Sequence, residues 1–518
     1  MAHFKEELIF YGDDIKIERF YDDTLMLYAP YTRPAVPDPN ATIRHALDHP
    51  IGTEPLGKQL NSSSRVLIAF DDPCLPIPLM LKDPRSLIIE EVLRRLHGIG
   101  VKKENIRLVC ANGLHRKWTL KELSVILGKD IIKDMAPQIS CHDATRDDEL
   151  IHLGDTGSGM EIEINRAVDQ ADITIYVNLN FTSMNGGWKS IMVGLGSWRS
   201  IRHHHNSDFW NGKDSVMDPE HHQMHRVLKE MGAVVKEKYN IFQIESVVNN
   251  RTWPWPLDSL LSYINSGRRS SLPGPITRTM FNMASISPTY IKRIVRNSLR
   301  SSYGLLAVNA GNIDLIHPET LKIVDDQQNV KLEEPVDVAI LGVPNLSPYS
   351  AFSILNPILL RSLILGYLGG LYRNKPFVKK GGLIVAYNPG IEKFNLMHHP
   401  SYKDFWDKDL KDHMDPEKCW NDLAEVYATN PEYVCKYRNE YAYHGTHCLI
   451  NWIWSGMALR QLKGVILAGA KEPETARKMG FIPSPSFATA LSLAKDMAGK
   501  HARMAYLAIP PLFAIDIE

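Results

Sequence analysis

Short apolar runs alternate along the chain with longer segments in which apolar residues recur every three or four positions. The short runs, bounded by polar turns, are typical of strands, and the longer spacing is typical of amphipathic helices. The predicted strands are residues 65–70, 106–111, 139–142, 173–179, 336–341, 383–387, 465–467 and 504–509. Helices are predicted between them, the first at residues 86–96, and Thr119 followed by Glu122 has the form of a capping box. This alternation predicts an α/β protein with mainly parallel sheets.

The length of 518 residues predicts more than one domain. We expect an N-terminal cofactor-binding α/β domain at residues 1–330 and a C-terminal α/β domain at 331–518, with a substrate cleft between them. The strand and helix pattern is interrupted near residues 250–300, where Trp-Pro and Pro-Gly turns predict an irregular insertion. A basic helical stretch at residues 290–300 closes this insertion and is predicted to be a solvated helix face.

Composition and charge restrict the class of protein. Lys plus Arg and Asp plus Glu both number 59, so no basic excess favours nucleic acid or an anionic membrane as a partner. The most apolar segment, residues 354–372, contains Asn356, Pro357 and Arg361, which favours a buried helix over a membrane span. The N-terminus has no apolar signal segment, and the six cysteines show no close metal-binding spacing. A cytoplasmic protein with reduced thiols is the resulting expectation.

Polar side chains follow four of the predicted strands in the first half. They are Asp71-Asp72, His115-Arg116, His142-Asp143 and the loop Gly186-Gly187-Trp188-Lys189. In open α/β sheets, ligands bind at the carboxyl ends of the strands. We therefore expect these loops to line one site, although His142 and Asp143 could equally cap a strand.

Lys189 is the most informative residue of these loops. The adjacent Gly186 and Gly187 lie just before it in the chain and allow a close approach of the backbone to a ligand. The cluster His203-His204-His205 follows after a helical segment. Lysine and histidine are side chains that sites use for covalent attachment and for metal ligation. A lysine on a turn remains the simpler alternative.

An ordered set of motifs over roughly residues 40–250 resembles the lactate racemase family. Its members racemise or epimerise 2-hydroxy acids with a nickel-pincer nucleotide. The matching segments are Ala46-Leu47-Asp48-His49-Pro50-Ile51-Gly52, Asp72, Asn112-Gly113-Leu114-His115-Arg116, His142-Asp143, Gly154 through Asn165-Arg166, Ala171-Asp172, Gly186-Gly187-Trp188-Lys189-Ser190-Ile191, Gly194 and His205-Asn206. Their order and spacing both agree with the family, whereas the second half matches only in outline.

The resemblance implies roles for individual residues. Lys189 would be joined covalently to the cofactor and His205 would be the nickel ligand. Asp72, Gly186, Gly187 and Trp188 would lie around the cofactor. His115 would be a catalytic base, taking a proton from the substrate hydroxyl while hydride passes to the cofactor.

Two positions depart from the family pattern. A second catalytic histidine is expected just before the Gly-Gly loop, where this chain has Asn180 as the nearest polar residue. Asparagine can hydrogen-bond a hydroxyl but cannot act as a base near neutral pH. Leu75 occupies the place of an arginine that grips the substrate carboxylate. These changes predict single-base chemistry, or a second proton from Trp188, a second-domain residue or water, on a substrate unlike lactate.

The predicted function is that of a racemase or epimerase acting on a hydroxy acid or sugar acid by reversible hydride transfer. One alternative is a single-base dehydrogenase that uses NAD or a related pyridinium nucleotide. A second alternative is a non-catalytic member that binds the cofactor. The predicted partners are a small hydroxy-acid substrate and, as candidates, the proteins that make the cofactor.

Three further patterns favour structural roles. His203 and His204 are predicted to be exposed or structural. His221 and His225, spaced by four on a predicted helix, could hold zinc but are interpreted as a solvated face. The glycine-rich run Gly154 to Gly159 lacks the Lys-Ser/Thr ending of a phosphate loop and is predicted to be a turn.

Overall fold

The computed structural model describes residues 4–209, 214–254 and 286–518, together with Leu257, Thr279 and Met283. Its architecture is α/β, as predicted, and is built on two large sheets. The irregular insertion predicted near residues 250–300 lies largely outside the described residues. Its last part forms the helix Thr289–Ser298, which agrees with the predicted basic helix.

The first sheet has six strands and forms the platform for the predicted site. In spatial order the strands are Leu305–Gly311, Ile241–Val248, Ile173–Asn180, Val66–Asp71, Ile106–Ala111 and Ile139–Cys141. All neighbours pair in parallel except Leu305–Gly311, which is antiparallel to Ile241–Val248. Every residue of Ile173–Asn180 is buried, as expected for a central strand covered on both faces.

The second sheet has eight strands and combines both ends of the chain. Its strands are Ile482–Ser484, Gly464–Ala468, Val378–Tyr387, Val336–Pro344, Phe4–Gly12, Asp14–Tyr21, Met504–Ala508 and Leu25–Tyr28. Phe4–Gly12 and Asp14–Tyr21 form an antiparallel hairpin, and the other pairs are parallel. Two small sheets pair Leu150–Asp155 with Glu161–Asn165, and Asn329–Leu332 with Ala514–Ile517.

Helices cover both large sheets. Those of the first half are Pro39–Asp48, Leu56–Gln59, Pro84–Ile99, Leu120–Leu127, Lys129–Met135, Ala167–Gln170, Trp188–Gly194, Trp198–Ile201 and Gln223–Lys238. Those of the second half are Ile313–Gln328, Pro357–Ser362, Pro400–Asp404, Pro416–Thr429, Pro431–Asn439, His447–Gln461, Pro473–Lys478 and Phe487–Ala498. Thr119 and Glu122 form the predicted capping box.

Several local predictions need correction. The predicted first domain began at residue 1, but residues 4–28 form strands of the second sheet; the boundary at 330 stays a prediction. His221 and His225 do not share a helix face, because the helix Gln223–Lys238 begins after His221 and is capped by His222. His225 is buried rather than solvated and contacts the carbonyl of Val216. The run Gly154 to Gly159 does form a turn, between two antiparallel strands.

The two parts of the chain share apolar packing. Met192 and Leu195, from the helix after the first sheet's central strand, belong to the same buried cluster as Leu363 and Leu368 of the second half. Leu363 and Leu368 lie in a π-helical turn that continues the buried helix Pro357–Ser362, and residues 354–372 are largely buried, as predicted. Among the described residues, no helix combines the length and apolar character needed to cross a membrane.

Candidate active site

A cavity of about 220 Å³ opens at the carboxyl ends of the first sheet's strands. Asp72, His115, Gly186, Lys189 and His205 all line it. These five predicted site residues come from three strand-end loops and from the segment after Ile201. The parallel arrangement of the strands explains their convergence, because parallel strands place their carboxyl ends at one edge of the sheet.

His115 and Asp72 form a hydrogen-bonded pair in this cavity. His115 Nδ1 lies 2.8 Å from Asp72 Oδ2, which also accepts a hydrogen bond from Trp118 Nε1 at 3.2 Å. Burial alone would raise the pKa of Asp72, but His115 outweighs it and the pKa of Asp72 is lowered. An ionised Asp72 accepts the Nδ1 proton of His115 and leaves Nε2 as the ring nitrogen that can accept a proton.

The loop before Lys189 depends on its two glycines. Gly186 and Gly187 have φ values of 86° and 59°, in the region that favours glycine. A Cβ at Gly186 would lie 2.2 Å from Asn180 Oδ1, and one at Gly187 would lie 2.7 Å from the ring of His317. Glu245 fixes the loop further, because its Oε1 accepts the Gly187 N–H at 2.8 Å.

The same Glu245 carboxylate lies 3.1 Å from His317 Nδ1 with each of its two oxygens. Glu245 is fully buried. Because it binds both the Gly187 N–H and His317, it supports the Gly-Gly loop from the protein interior. Sequence reasoning did not single out either residue, since they lie on a different strand and helix from the loop.

Lys189 is a partly buried lysine whose amine has few polar contacts. Its Nζ donates to the carbonyl of Met184 at 3.1 Å. Burial lowers the pKa of Lys189 to about 8, although the Asp71 carboxylate partly opposes this shift. A lysine in this state has about a tenth of its amine neutral near pH 7, far more than an ordinary lysine, and the neutral amine is the nucleophilic form that covalent attachment needs.

His205 meets the requirements of a metal ligand. It lines the same cavity as Lys189, and its Nδ1 lies 2.7 Å from Nδ1 of His204. Burial, with His204 and Lys189 nearby, lowers the pKa of His205 well below its usual range. The ring is therefore neutral, the form in which imidazole binds metals. His204 is fully buried, as a structural role requires, and orients the ring of His205.

Three predicted site residues do not line the cavity. The Trp188 side chain lies against Gly232 and donates from Nε1 to Asp314 at 2.7 Å. Gly187 packs on His317 instead of facing the cavity. Asn180 is buried beneath the turn at Gly186, which separates it from the cavity. A role of Asn180 toward a substrate stays a prediction.

Other predicted polar strand ends are structural. The His142 ring is fully buried between the carbonyl of Gly196 and the side chain of Asn165, at 2.9 Å from each. Asp143 pairs with Lys117 at 2.6 Å. Neither residue reaches the cavity.

Several cavity residues were not predicted from the sequence. Asn178 lines the wall and donates to Asp71 Oδ2 at 2.6 Å. Tyr349 and Tyr367 come from the second half, and their hydroxyls are 2.8 Å apart. Tyr349 packs edge-on against His115, with ring centroids 5.0 Å apart. The polar end at Asp71 was the only sequence signal for this group.

Cys74 adds a second arrangement of metal-binding atoms. Within the described part of the chain, the donor atoms of Asp72, Cys74 and His115 lie within 4.8 Å of one another. Burial raises the pKa of the Cys74 thiol well above its usual range, which disfavours the thiolate that binds metals best. His205 is therefore the better candidate ligand.

Comparisons with known proteins agree with the motif pattern. Residues 11–218 match the family model described as the lactate racemase N-terminal domain. The lactate racemase of Lactiplantibacillus plantarum is 29% identical over 174 residues, which are 33% of this chain and 39% of that enzyme. The lactate racemase of Thermoanaerobacterium thermosaccharolyticum is 28% identical over 171 residues, 32% of this chain and 38% of that enzyme. The match thus spans about two fifths of these relatives.

Solved structures extend the likeness in fold beyond this region. The lactate racemase apoprotein of Thermoanaerobacterium thermosaccharolyticum has a TM-score of 0.64 at 18% identity, covering 99% of this chain and 100% of that one. A Thermotoga maritima protein solved by a structural genomics consortium has a TM-score of 0.50 at 14% identity, covering 94% and 100%. At these identities the likeness is one of fold alone.

Proposed function

The chain is a divergent member of the lactate racemase family, and on this premise we propose that it is a racemase-like isomerase acting at a carbon that bears a hydroxyl group. The observation that carries the proposal is the meeting of Lys189, His205 and His115 in one cavity. Hydroxy acids and sugar acids are the substrates that the family resemblance suggests. Proteins that make the cofactor are the proposed partners for its assembly.

The residues present fit a nickel-pincer nucleotide. Lys189 offers a buried amine whose pKa is lowered to about 8, which suits covalent attachment. His205 offers a buried neutral imidazole, which suits nickel. Gly186 lines the cavity without a side chain and allows the backbone to approach a ring closely. When bound, the nucleotide would supply a reversible hydride acceptor.

His115 moves the proton in this proposal. Its Nε2 accepts the proton of the substrate hydroxyl while Asp72 holds Nδ1 and stabilises the imidazolium that forms. The same nitrogen returns the proton when the hydroxyl is restored. Apolar side chains and the tyrosine pair line the cavity and would limit the access of water to the reacting carbon.

A second candidate function is oxidation or reduction of one stereoisomer, with NAD or a related pyridinium nucleotide in the same cavity. One observation favours it: among the described residues lining the cavity, His115 is the imidazole that remains once His205 is assigned to the metal. Asn180, the nearest polar residue to the expected second base, is covered by Gly186. Metal analysis separates the two, because only the racemase proposal requires nickel.

The test uses protein produced together with the cofactor-biosynthesis proteins. Hydroxy acids and sugar acids are each supplied as a single stereoisomer without NAD. Each compound is labelled with deuterium at the carbon that bears the hydroxyl group. We expect the opposite stereoisomer with the label retained, and no product from the Lys189→Ala variant. Loss of the label to water would contradict hydride transfer, and turnover that requires NAD would favour the second candidate.

A further inference from the structure

The charge of the cavity restricts what it can bind. Among the described residues that line it, Lys189 is the only lysine or arginine. The proposed function uses that amine for the covalent linkage, so the charge is lost when the cofactor is attached. Asp71 and Asp72 both line the same cavity and bring carboxylates, the wrong charge for an anionic substrate.

The guanidinium groups around the cavity are already committed to other partners. Arg85 is fully buried, pairs with Asp83 at 2.7 Å and donates to backbone carbonyls of the first strand-end loop. Arg116 is also buried, pairs with Glu122 at 2.6 Å and lies over the ring of Trp118. Neither lines the cavity, so neither supplies a cation to a bound molecule.

Arg373 follows the buried helical segment of the second half and is likewise engaged. It pairs with Asp325 at 2.9 Å and donates to the carbonyl of Met217. Both of these partners lie outside the catalytic pair of His115 and Asp72. The second half therefore brings no lysine or arginine to the cavity among its described residues.

What the second half brings is an apolar wall. The side chains from the second half that line the cavity are mostly apolar apart from the hydroxyl groups of Tyr349 and Tyr367, and they include five leucines and one tryptophan. The leucines and the tryptophan are Leu346, Leu363, Leu368, Leu371, Trp454 and Leu512. Leu75, from the first strand-end loop, also lines the cavity.

A carboxylate loses its hydration when it enters such a wall, and the described residues that line the cavity offer it no lysine or arginine besides Lys189, which makes its binding unfavourable. An uncharged molecule with an aliphatic substituent loses little hydration and gains burial of apolar surface. The balance of both effects favours a neutral substrate over an acid of the same shape.

We propose that the cavity selects an uncharged hydroxy compound with an apolar substituent, such as the amide of a branched 2-hydroxy acid, in preference to a free hydroxy acid. This inference rests on the proposed function for the assignment of the reacting carbon. Leu75 is its specificity-determining residue, because it lines the cavity and follows Cys74, whose backbone N–H donates to Asp72 Oδ1 at 3.2 Å.

The experiment compares four compounds that separate charge from apolar size. They are lactate, lactamide, 2-hydroxy-4-methylpentanoate and 2-hydroxy-4-methylpentanamide. Binding is measured by calorimetry on the protein with and without attached cofactor, and kcat/KM is measured on the loaded protein. We expect the branched amide to bind at least about tenfold more tightly than the branched acid, a difference of about 1.4 kcal/mol.

Two variants test the role of charge in the wall. Leu75→Arg is expected to reverse the preference toward the branched acid, and its matched control Leu75→Met keeps the preference for the amide. Leu346→Lys places a cation at another position of the cavity lining and is expected to act in the same direction if Leu75→Arg does not fold. The proposal is contradicted if introducing the cation leaves the ratio of the amide's binding affinity to the acid's unchanged.

The outcomes distinguish this inference from the proposed function. Preferential binding of the branched amide without any turnover supports the cavity's selectivity and contradicts the isomerase. Isomerisation of both acids with kcat/KM equal to or above that of the amides supports the isomerase and overturns the selectivity. Failure of all four compounds to bind overturns the selectivity as well.

Discussion

Replacing Lys189 by methionine is expected to stabilise the protein that lacks attached cofactor. Methionine has nearly the same length and volume but no charge, so the change removes the cost of a buried ammonium and keeps the packing. Burial lowers the pKa of Lys189 to about 8, whereas an unperturbed lysine has a pKa of 10.5. The native state therefore holds the charged form less favourably than the unfolded state does.

The magnitude follows from the difference of 2.5 units between these two pKa values. Each unit corresponds to about 1.36 kcal/mol, so the buried charge costs the native state about 3 kcal/mol at pH 7. Loss of the hydrogen bond to the Met184 carbonyl offsets about 1 kcal/mol of the gain. The net stabilisation by Lys189→Met is then about 2 kcal/mol at pH 7.

The pH dependence has a definite sign. Between the native pKa and the unfolded pKa, the unfolded state binds one more proton, so the stability of the wild-type protein rises with pH. The cost of the buried charge is complete below about pH 8, falls to about 2 kcal/mol at pH 9 and nearly vanishes above pH 10.5. The advantage of the variant should shrink over the same range.

Urea unfolding of both proteins at pH 7 and pH 9 measures these quantities. Lys229→Met, at an exposed position of the helix Gln223–Lys238, serves as the control and should change stability little at either pH. The Lys189→Met protein could be less stable than the wild type at pH 7, or its stability advantage could fail to shrink at pH 9. Either result would refute the idea that the charged amine of Lys189 destabilises the native state.

Three further substitutions test other parts of the site. His115→Gln should lower kcat of the loaded protein about 100- to 10,000-fold with little change in nickel content, as expected for loss of a general base; an unchanged kcat would exclude His115 as the base. His205→Ala should abolish nickel binding, measured by metal analysis, while the nucleotide remains on Lys189 in the intact mass. Nickel retained in that variant would indicate that the metal sits elsewhere, for example beside Asp72. Gly186→Ala should destabilise the fold by more than about 1 kcal/mol in thermal unfolding, because its φ is positive and its Cβ would meet a buried side chain; an unchanged Tm would contradict the tight loop.

The sheet strands could be predicted from the sequence because their signal is local. Residues 106–111 were predicted from a single apolar run, and the strand Ile106–Ala111 has those bounds. The strand at residues 4–12 was not predicted, and its place beside Val336–Pro344 is a long-range pairing that no local pattern encodes. The membership of residues 4–28 in the second sheet could not be predicted for that reason.

The loops that form the site could be predicted, because they follow strand ends. Which side chains of those loops point into the cavity could not. Lys189 and Trp188 are adjacent on a short helix, and the helical rotation between neighbours sends one into the cavity and the other toward Asp314. Asn180 precedes the Gly-Gly loop by only a few residues, yet that loop folds over it. Sequence spacing alone does not show such coverage.

The contribution of the second half to the site was the least predictable. Tyr349 and His447 pack against His115 with ring centroids 5.0 and 5.3 Å away, although they lie far along the chain. Neither residue belongs to a motif, and their position follows from the packing of the two halves. The same holds for the apolar wall, on which the proposed preference for a neutral compound rests.

The central claim is that Lys189 carries a nickel-containing nucleotide whose metal is bound by His205. The most direct measurement combines intact mass and nickel content of the protein produced with the cofactor-biosynthesis proteins, with a lactate racemase treated in parallel as a positive control. We predict a mass increase located at Lys189, together with one nickel per modified chain. An unmodified Lys189 without nickel, in a preparation where the control racemase is fully loaded, would contradict the claim.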